Sequence, residues 1–207
     1  MLNPFRRIPF IRAVVIANVV VYVGLWLVGS RDPWVVSLAV AWFGLWLDPH
    51  LLPWQPVTYA FIHANLAHLG LNMLGLWMFG SEMERAWGSR RIAVYYLACV
   101  LGAAAAQLAV AALRDTHAPT IGASGGVFGI LLAFAMVYPN RIILLLIPPV
   151  PMKAKWVVLG YGALELWLGV TGTMAGVAHF AHLGGMVFGW FLIQYWRFTG
   201  RRRPLRA

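Results

Sequence analysis

The chain has one cysteine, six acidic residues and only 11% charged residues over 207 positions. The lone Cys99 lies inside an apolar run, which excludes an intrachain disulfide. So small a charged fraction, beside 61% hydrophobic residues and 11 tryptophans, excludes an ordinary soluble domain and predicts membrane embedding. No long linker or separate soluble segment interrupts the chain, so residues 1–207 read as one transmembrane domain. The run after Arg12 lacks a small-residue cleavage site and is expected to continue as a span rather than act as a signal peptide. The scarcity of acid leaves a net charge of +10. The basic residues flank apolar runs without an interleaved aromatic surface, so they predict membrane topology and no nucleic-acid partner.

Six spans are expected in an all-α polytopic bundle: Ala13–Val28, Val57–Gly80, Ile92–Leu113, a short helix after Ser124, Trp156–Val170 and Val177–Trp196. Trp34–Leu47 is apolar but only 14 residues long, which suits an interfacial or membrane-dipping segment between the first two spans. Ile142–Pro151 is a further apolar piece, broken by Pro148-Pro149. Six spans put both termini on one side. Fourteen basic residues then fall on that side: Arg6, Arg7, Arg12, Arg85, Arg90, Arg91, Arg141, Lys153, Lys155, Arg197, Arg201, Arg202, Arg203 and Arg206. Only Arg31 and Arg114 fall on the other, so both termini are expected in the cytoplasm.

Within the apolar runs, polar residues are few and grouped. Ile121 to Gly129 sets Ser124 among glycines at the start of a helix that ends at Pro139. About 15 residues span roughly 22 Å, less than the ~30 Å of a bilayer core. Ser124 is therefore expected roughly 8 Å below the membrane surface, at a helix N-terminus rich in free N–H groups. The second, fourth and sixth spans enter from the same external side and carry His68 with Asn72, Ser124, and His182 in their first halves. Gly125-xxx-Gly129 and Ala181-xxx-Gly185-xxx-Gly189 are close-approach patterns that would bring Ser124 and His182 together. Read singly, each histidine or asparagine is a packing residue; read together, they are a functional cluster. A metal centre is the competing reading, because His179 and His182 are three apart and His63 lies near His68. No HExxH is present, no carboxylate or cysteine sits at the external ends beside them, and His63 and His68 differ by about 140° on a helix. No metal and no cofactor are expected. His50 and His117 are expected in solvated loops.

Three motifs then align in order: His68-Leu69-Gly70-Leu71-Asn72 as HxxxN, Gly122-Ala123-Ser124-Gly125 as GxSG, and Ala181-His182-Leu183-Gly184-Gly185 as AHxxG. Together they resemble the rhomboid intramembrane serine proteases over nearly the whole chain. The segment after the first span resembles the family's membrane-dipping loop, and Glu82 to Arg91 resembles its loop after the second span. The resemblance implies a rhomboid-like six-helix bundle of bacterial type in the inner membrane, its site open to the external side. It implies a Ser–His dyad without an acidic third member: Ser124 as nucleophile, His182 as base and then acid. His68, Asn72 and the backbone N–H of Ser124 would form the oxyanion hole. Phe128 stands where some members carry a tyrosine packed on the histidine, and Gln55 where some carry an arginine. The implied activity is cleavage of transmembrane helices of membrane-protein substrates near their external ends. The alternatives are a catalytically inactive rhomboid-like binding protein, or a small polytopic transporter using His68, Asn72 and His182 as a polar path.

Glu165 stands apart, about ten residues into the fifth span. A charged carboxylate near the midplane costs about 2.5–3.5 kcal/mol on the lenient insertion scale. No basic partner is evident at its depth, so it is expected to be protonated, deeper than Ser124, and structural. On that reading Glu165→Gln retains most activity. An ionised carboxylate delivering protons or water is the alternative.

Overall fold

The structure is a computed structural model that describes residues 9–47, 50–145, 149–173 and 176–200. Arg6, Arg7, Asp48, Pro148 and the basic tail Arg201–Arg206 lie outside the described residues. The chain is mostly helical. Helices α1 (Phe10–Gly29), α4 (Leu66–Gly75), α6 (Ser89–Arg114), α7 (Ser124–Val137), α8 (Ala154–Thr171) and α9 (His179–Phe198) form a bundle. Among the described residues, α1 and α6 are long and apolar enough to cross a membrane, while α7 is apolar but shorter.

The start of α1 is tied down from a distance. Phe10 and Ile11 donate their N–H groups to the Glu84 carboxylate at 2.6 and 3.0 Å. An anion there satisfies orphan donors and meets the positive end of the helix dipole. Ser89 also donates to Glu84. Glu84 belongs to α5 (Ser81–Trp87), which follows α4 through a π-helical turn, Leu76–Gly80. The second helical stretch therefore runs from Leu66 to Trp87, shifted from the expected Val57–Gly80. The start is set by Asn65, whose side chain accepts the His68 N–H at 2.9 Å as an N-cap. Gln55–Thr58 (α3) and the 3₁₀ turn Tyr59–Phe61 precede it as separate short pieces. The expected loop from Glu82 to Arg91 is helical except at Gly88, whose φ of +80° turns the chain into α6.

Helix α2 (Trp34–Phe43) occupies most of the short apolar segment after α1. Its faces bearing Trp34, Trp42 and Phe43 are exposed, as suits an apolar surround. Trp54 donates to the Trp42 carbonyl at 2.8 Å and Thr58 to that of Phe43 at 2.9 Å. Gln55 is fully buried between them: its carbonyl accepts from Trp46 and Leu52, and its amide donates to Ala41. Gln55, which stands where some relatives are expected to carry an arginine, is thus an internal clamp of this segment. Leu45 then pairs with Thr120 through reciprocal 2.9 Å hydrogen bonds, which joins the segment to the chain just before α7. The apolar piece after α7 forms a short antiparallel hairpin, β1 (Ile142–Leu144) with β2 (Pro151–Lys153).

Packing is tightest where α6, α7 and α9 meet. Helices α4, α7 and α9 run parallel: His68 lies at Gly122 and Gly75 at Val127, while His182 lies at Ser124 and Gly185 at Gly129. Against α9, α6 and α8 run the other way, with Gly184 at Gly102 but Gly189 at Tyr95, and Gly162 at Met186 but Gly169 at His179. At Gly185 the backbones nearly touch: an added Cβ would overlap the Gly125 carbonyl. Gly185→Leu should therefore destabilise the bundle by about 3 kcal/mol or more, beyond ordinary overpacking because backbone must move. Thermal melting of the purified variant checks this, and a wild-type melting temperature would show that α7 and α9 do not meet there.

Candidate active site

Ser124 is the first residue of α7, where helix N–H groups have no intrahelical acceptor. The approach to it is fixed by three contacts. Thr120 is paired with Leu45, the Gly122 N–H donates to the Tyr59 carbonyl at 2.9 Å, and the Tyr59 hydroxyl donates to Val100 at 2.8 Å. Gly122 has φ of +119°, and a Cβ there would lie 2.7 Å from His68 Nε2. Only glycine permits both the backbone turn and that imidazole.

From α9, His182 Nε2 lies 2.7 Å from Ser124 Oγ. Its ring stacks on Phe128 at 4.4 Å between centroids with an interplanar angle of 5°. Phe128 is four residues after Ser124, so it stands on the same face of α7, one turn below the hydroxyl. Stacking holds the imidazole plane while leaving its nitrogens free along the ring edge.

His68 Nδ1 accepts a long 3.4 Å hydrogen bond from the Ala64 N–H, which assigns the ring proton to Nε2, the nitrogen beside Gly122. Asn72 lies one turn further along α4 and donates to the His68 carbonyl at 2.8 Å. One of its two N–H groups is thereby committed to its own helix. His63 precedes α4 instead of sharing it, so the helical-wheel separation from His68 does not apply and the two rings meet edge-to-face at 5.0 Å. Burial, and then the neighbouring His68, push the His63 imidazole down to about 4. His50 lies against Trp46, and the exposed His117 faces Asp115 at 3.2 Å.

Sequence reasoning singled out Glu165 but missed its partners. Its Oε2 lies 2.6 Å from His179 Nδ1 in an aligned hydrogen bond. The same oxygen lies 2.9 Å from His182 Nδ1, at ion-pair distance although off the line of a good hydrogen bond. The expectation that it has no basic partner at its depth is overturned, and so is the expectation that no carboxylate accompanies His179 and His182. The reason is helix length: α8 ends at Thr171, so Glu165 lies only six residues, about 9 Å, below that end. That matches the depth estimated for Ser124. Two signals in the sequence pointed here: Glu165 is the one acidic residue inside an apolar run, and His179 and His182 have helical i,i+3 spacing. Their ligand atoms and the carboxylate all lie within 4.8 Å of one another, so the donors of a metal site are also present.

A hydroxyl on an imidazole, at a helix N-terminus and beside a second imidazole donor, is the arrangement for acyl transfer. The rhomboid family model matches residues 52–197, which contain all three sequence motifs. The chain belongs to the rhomboid family. That family is membrane-embedded. This rhomboid is 31% identical over 182 residues to rhomboid protein 1, mitochondrial, of Saccharomyces cerevisiae, covering 76% of the chain and 52% of the relative. It is 28% identical over 140 residues to the rhomboid protease GluP of Bacillus subtilis, covering 67% of the chain and 25% of the relative. Against the rhomboid protease GlpG of Salmonella choleraesuis it is 25% identical over 202 residues, covering 89% of the chain and 66% of the relative. The chain thus spans about half the length of the yeast relative.

Proposed function

We propose that this rhomboid is an intramembrane serine endopeptidase that cleaves transmembrane helices of membrane-protein substrates near their external ends. The observation that carries the proposal is the 2.7 Å approach of His182 Nε2 to Ser124 Oγ at the N-terminus of α7. His182 takes the hydroxyl proton as Ser124 Oγ attacks the scissile carbonyl carbon. The His68 Nε2–H and the Ser124 backbone N–H stabilise the resulting oxyanion, with Asn72 contributing its uncommitted N–H. His182 then returns the proton to the leaving amine, and water releases the acyl group by the same route. Carbonyls inside a substrate helix are hydrogen-bonded, so the substrate unwinds locally before attack, and small or helix-destabilising residues at the cut favour it.

In this reading the chain is a single domain of six spans with both termini in the cytoplasm. It sits in a bacterial inner membrane, with α2 and the Gln55–Phe61 turns dipping into the external leaflet. Ser124 opens to the external side. A fluorophosphonate probe tests the assignment. Covalent labelling should fall on Ser124 and be lost in Ser124→Ala. Labelling at other serines only, or none at all, would count against a serine nucleophile and favour the binding or transport readings.

A further inference from the structure

We infer that Glu165 is an ionised positioning residue, making the pair a Ser124–His182–Glu165 relay with His179 as its anchor. The inference rests on the protease reading and deepens it. Geometry assigns the protons. Ser124 faces His182 Nε2 at 2.7 Å, and a hydroxyl activated by that nitrogen requires it to be bare. The neutral ring then carries its proton on Nδ1, the atom 2.9 Å from Glu165 Oε2. His179 presents its own Nδ1 to the same oxygen at 2.6 Å. Its Nε2 is buried without a partner among the described residues, so a proton there would be an orphaned donor and Nδ1 is the protonated atom. An oxygen that accepts from two imidazole N–H groups at once is best served as a carboxylate, because an ionised acceptor makes the stronger hydrogen bonds. The aligned bond from His179 fixes the carboxylate, and the less aligned approach to His182 is of the kind that tightens when substrate binds.

The step balances within the chain and the substrate. The Oγ–H proton moves to Nε2, the Oγ–C bond forms, and the carbonyl π pair becomes the oxyanion. Nδ1 keeps its proton and Glu165 stays ionised, facing the imidazolium that forms. The carboxylate thus holds the productive tautomer and places its charge where positive charge develops. The buried surroundings make both contributions larger than in water.

The groups around the His182 ring are few. Ser124 comes from α7, Glu165 from α8, His179 from α9 and His68 from α4, with Tyr161 beyond Phe128. From α6, Tyr95 and Cys99 pack at Gly189, about two turns away, and Arg114 lies over Phe180. Only Glu165 among them is an anion held against the ring.

The test compares Glu165→Gln and Glu165→Asp with wild type for kcat and KM on a transmembrane substrate, fluorophosphonate labelling rate, pH–rate profile and melting temperature. Glu165→Gln should keep its KM and lose between about 10²- and 10⁴-fold in kcat, with labelling slowed in parallel, as when a buried triad carboxylate becomes an amide. The acidic limb of its profile should move to lower pH, because the charge favouring imidazolium is gone. Glu165→Asp should recover part of the rate. A purely structural role would change the melting temperature and leave that limb in place. A folded Glu165→Gln enzyme with wild-type kcat and an unmoved limb would overturn the inference. Should Glu165→Gln fail to fold, Glu165→Asp decides it, because its carboxylate is one methylene shorter and stands further from His182 Nδ1. A fall in kcat at unchanged KM with the limb displaced part-way supports the relay, and a folded Glu165→Asp with wild-type kcat and limb overturns it. Loss of activity with 1,10-phenanthroline and recovery on added zinc would overturn it too, by assigning the three residues to a metal. An active Ser124→Ala would instead sink the protease reading itself; an inactive Ser124→Ala beside a fully active Glu165→Gln would sink only the relay.

Discussion

Ser124→Ala should abolish cleavage of a transmembrane substrate and leave the melting temperature nearly unchanged. The loss should be at least about 10³-fold, since the covalent step has no other nucleophile and residual catalysis rests on binding and oxyanion donors alone. The structural cost is small because one hydroxyl contributes little volume. Its partner there is His182, and the glycine contacts that set the α7–α9 spacing lie beside it and are untouched. Purified protein on a fluorescent transmembrane substrate checks it. Cleavage near the wild-type rate would remove Ser124 from the mechanism.

His182→Ala should be as inactive, and the double variant with Ser124→Ala should lose almost nothing more. Residues acting as one unit are non-additive, so whichever is removed first takes the whole effect. Stability distinguishes the two variants. His182→Ala also removes the stack on Phe128 and one of the two imidazoles facing Glu165, which is left with His179 alone as its partner. Its melting temperature should fall clearly below that of Ser124→Ala. His68→Ala should cost less, about 10²-fold for one lost oxyanion donor. Equal stability of the two single variants would mean that Glu165 does not rely on His182.

Much of the site was legible in the chain because its chemistry is rare where it lies. A hydroxyl, two imidazoles and an amide inside apolar runs are conspicuous, and their order HxxxN, GxSG, AHxxG narrows the reading further. The small-residue patterns were sufficient to predict that the Ser124 and His182 helices approach, since glycine faces admit close backbones. Helix limits were less legible. Hydropathy put the second stretch at Val57–Gly80, whereas the Asn65 cap and the Gly88 turn set the real limits. Caps and positive φ act on single residues, and an average over a window conceals them.

By itself the sequence determined the helical class, the residues able to do acyl-transfer chemistry, and which helix faces admit close approach. All of these follow from residue type and period. The tertiary structure decided how deep each residue lies and which pairs meet. Glu165 was assigned to the midplane by counting along its own helix, but depth is relative to neighbours, and α8 ends only six residues later beside the start of α9. His63 was separated from His68 by an angle that applies only if both share a helix. Gln55 showed in the sequence only as a departure from an arginine, and the fold makes it a buried clamp. In each case the deciding quantity is a distance between elements far apart in the chain, which local periodicity does not contain.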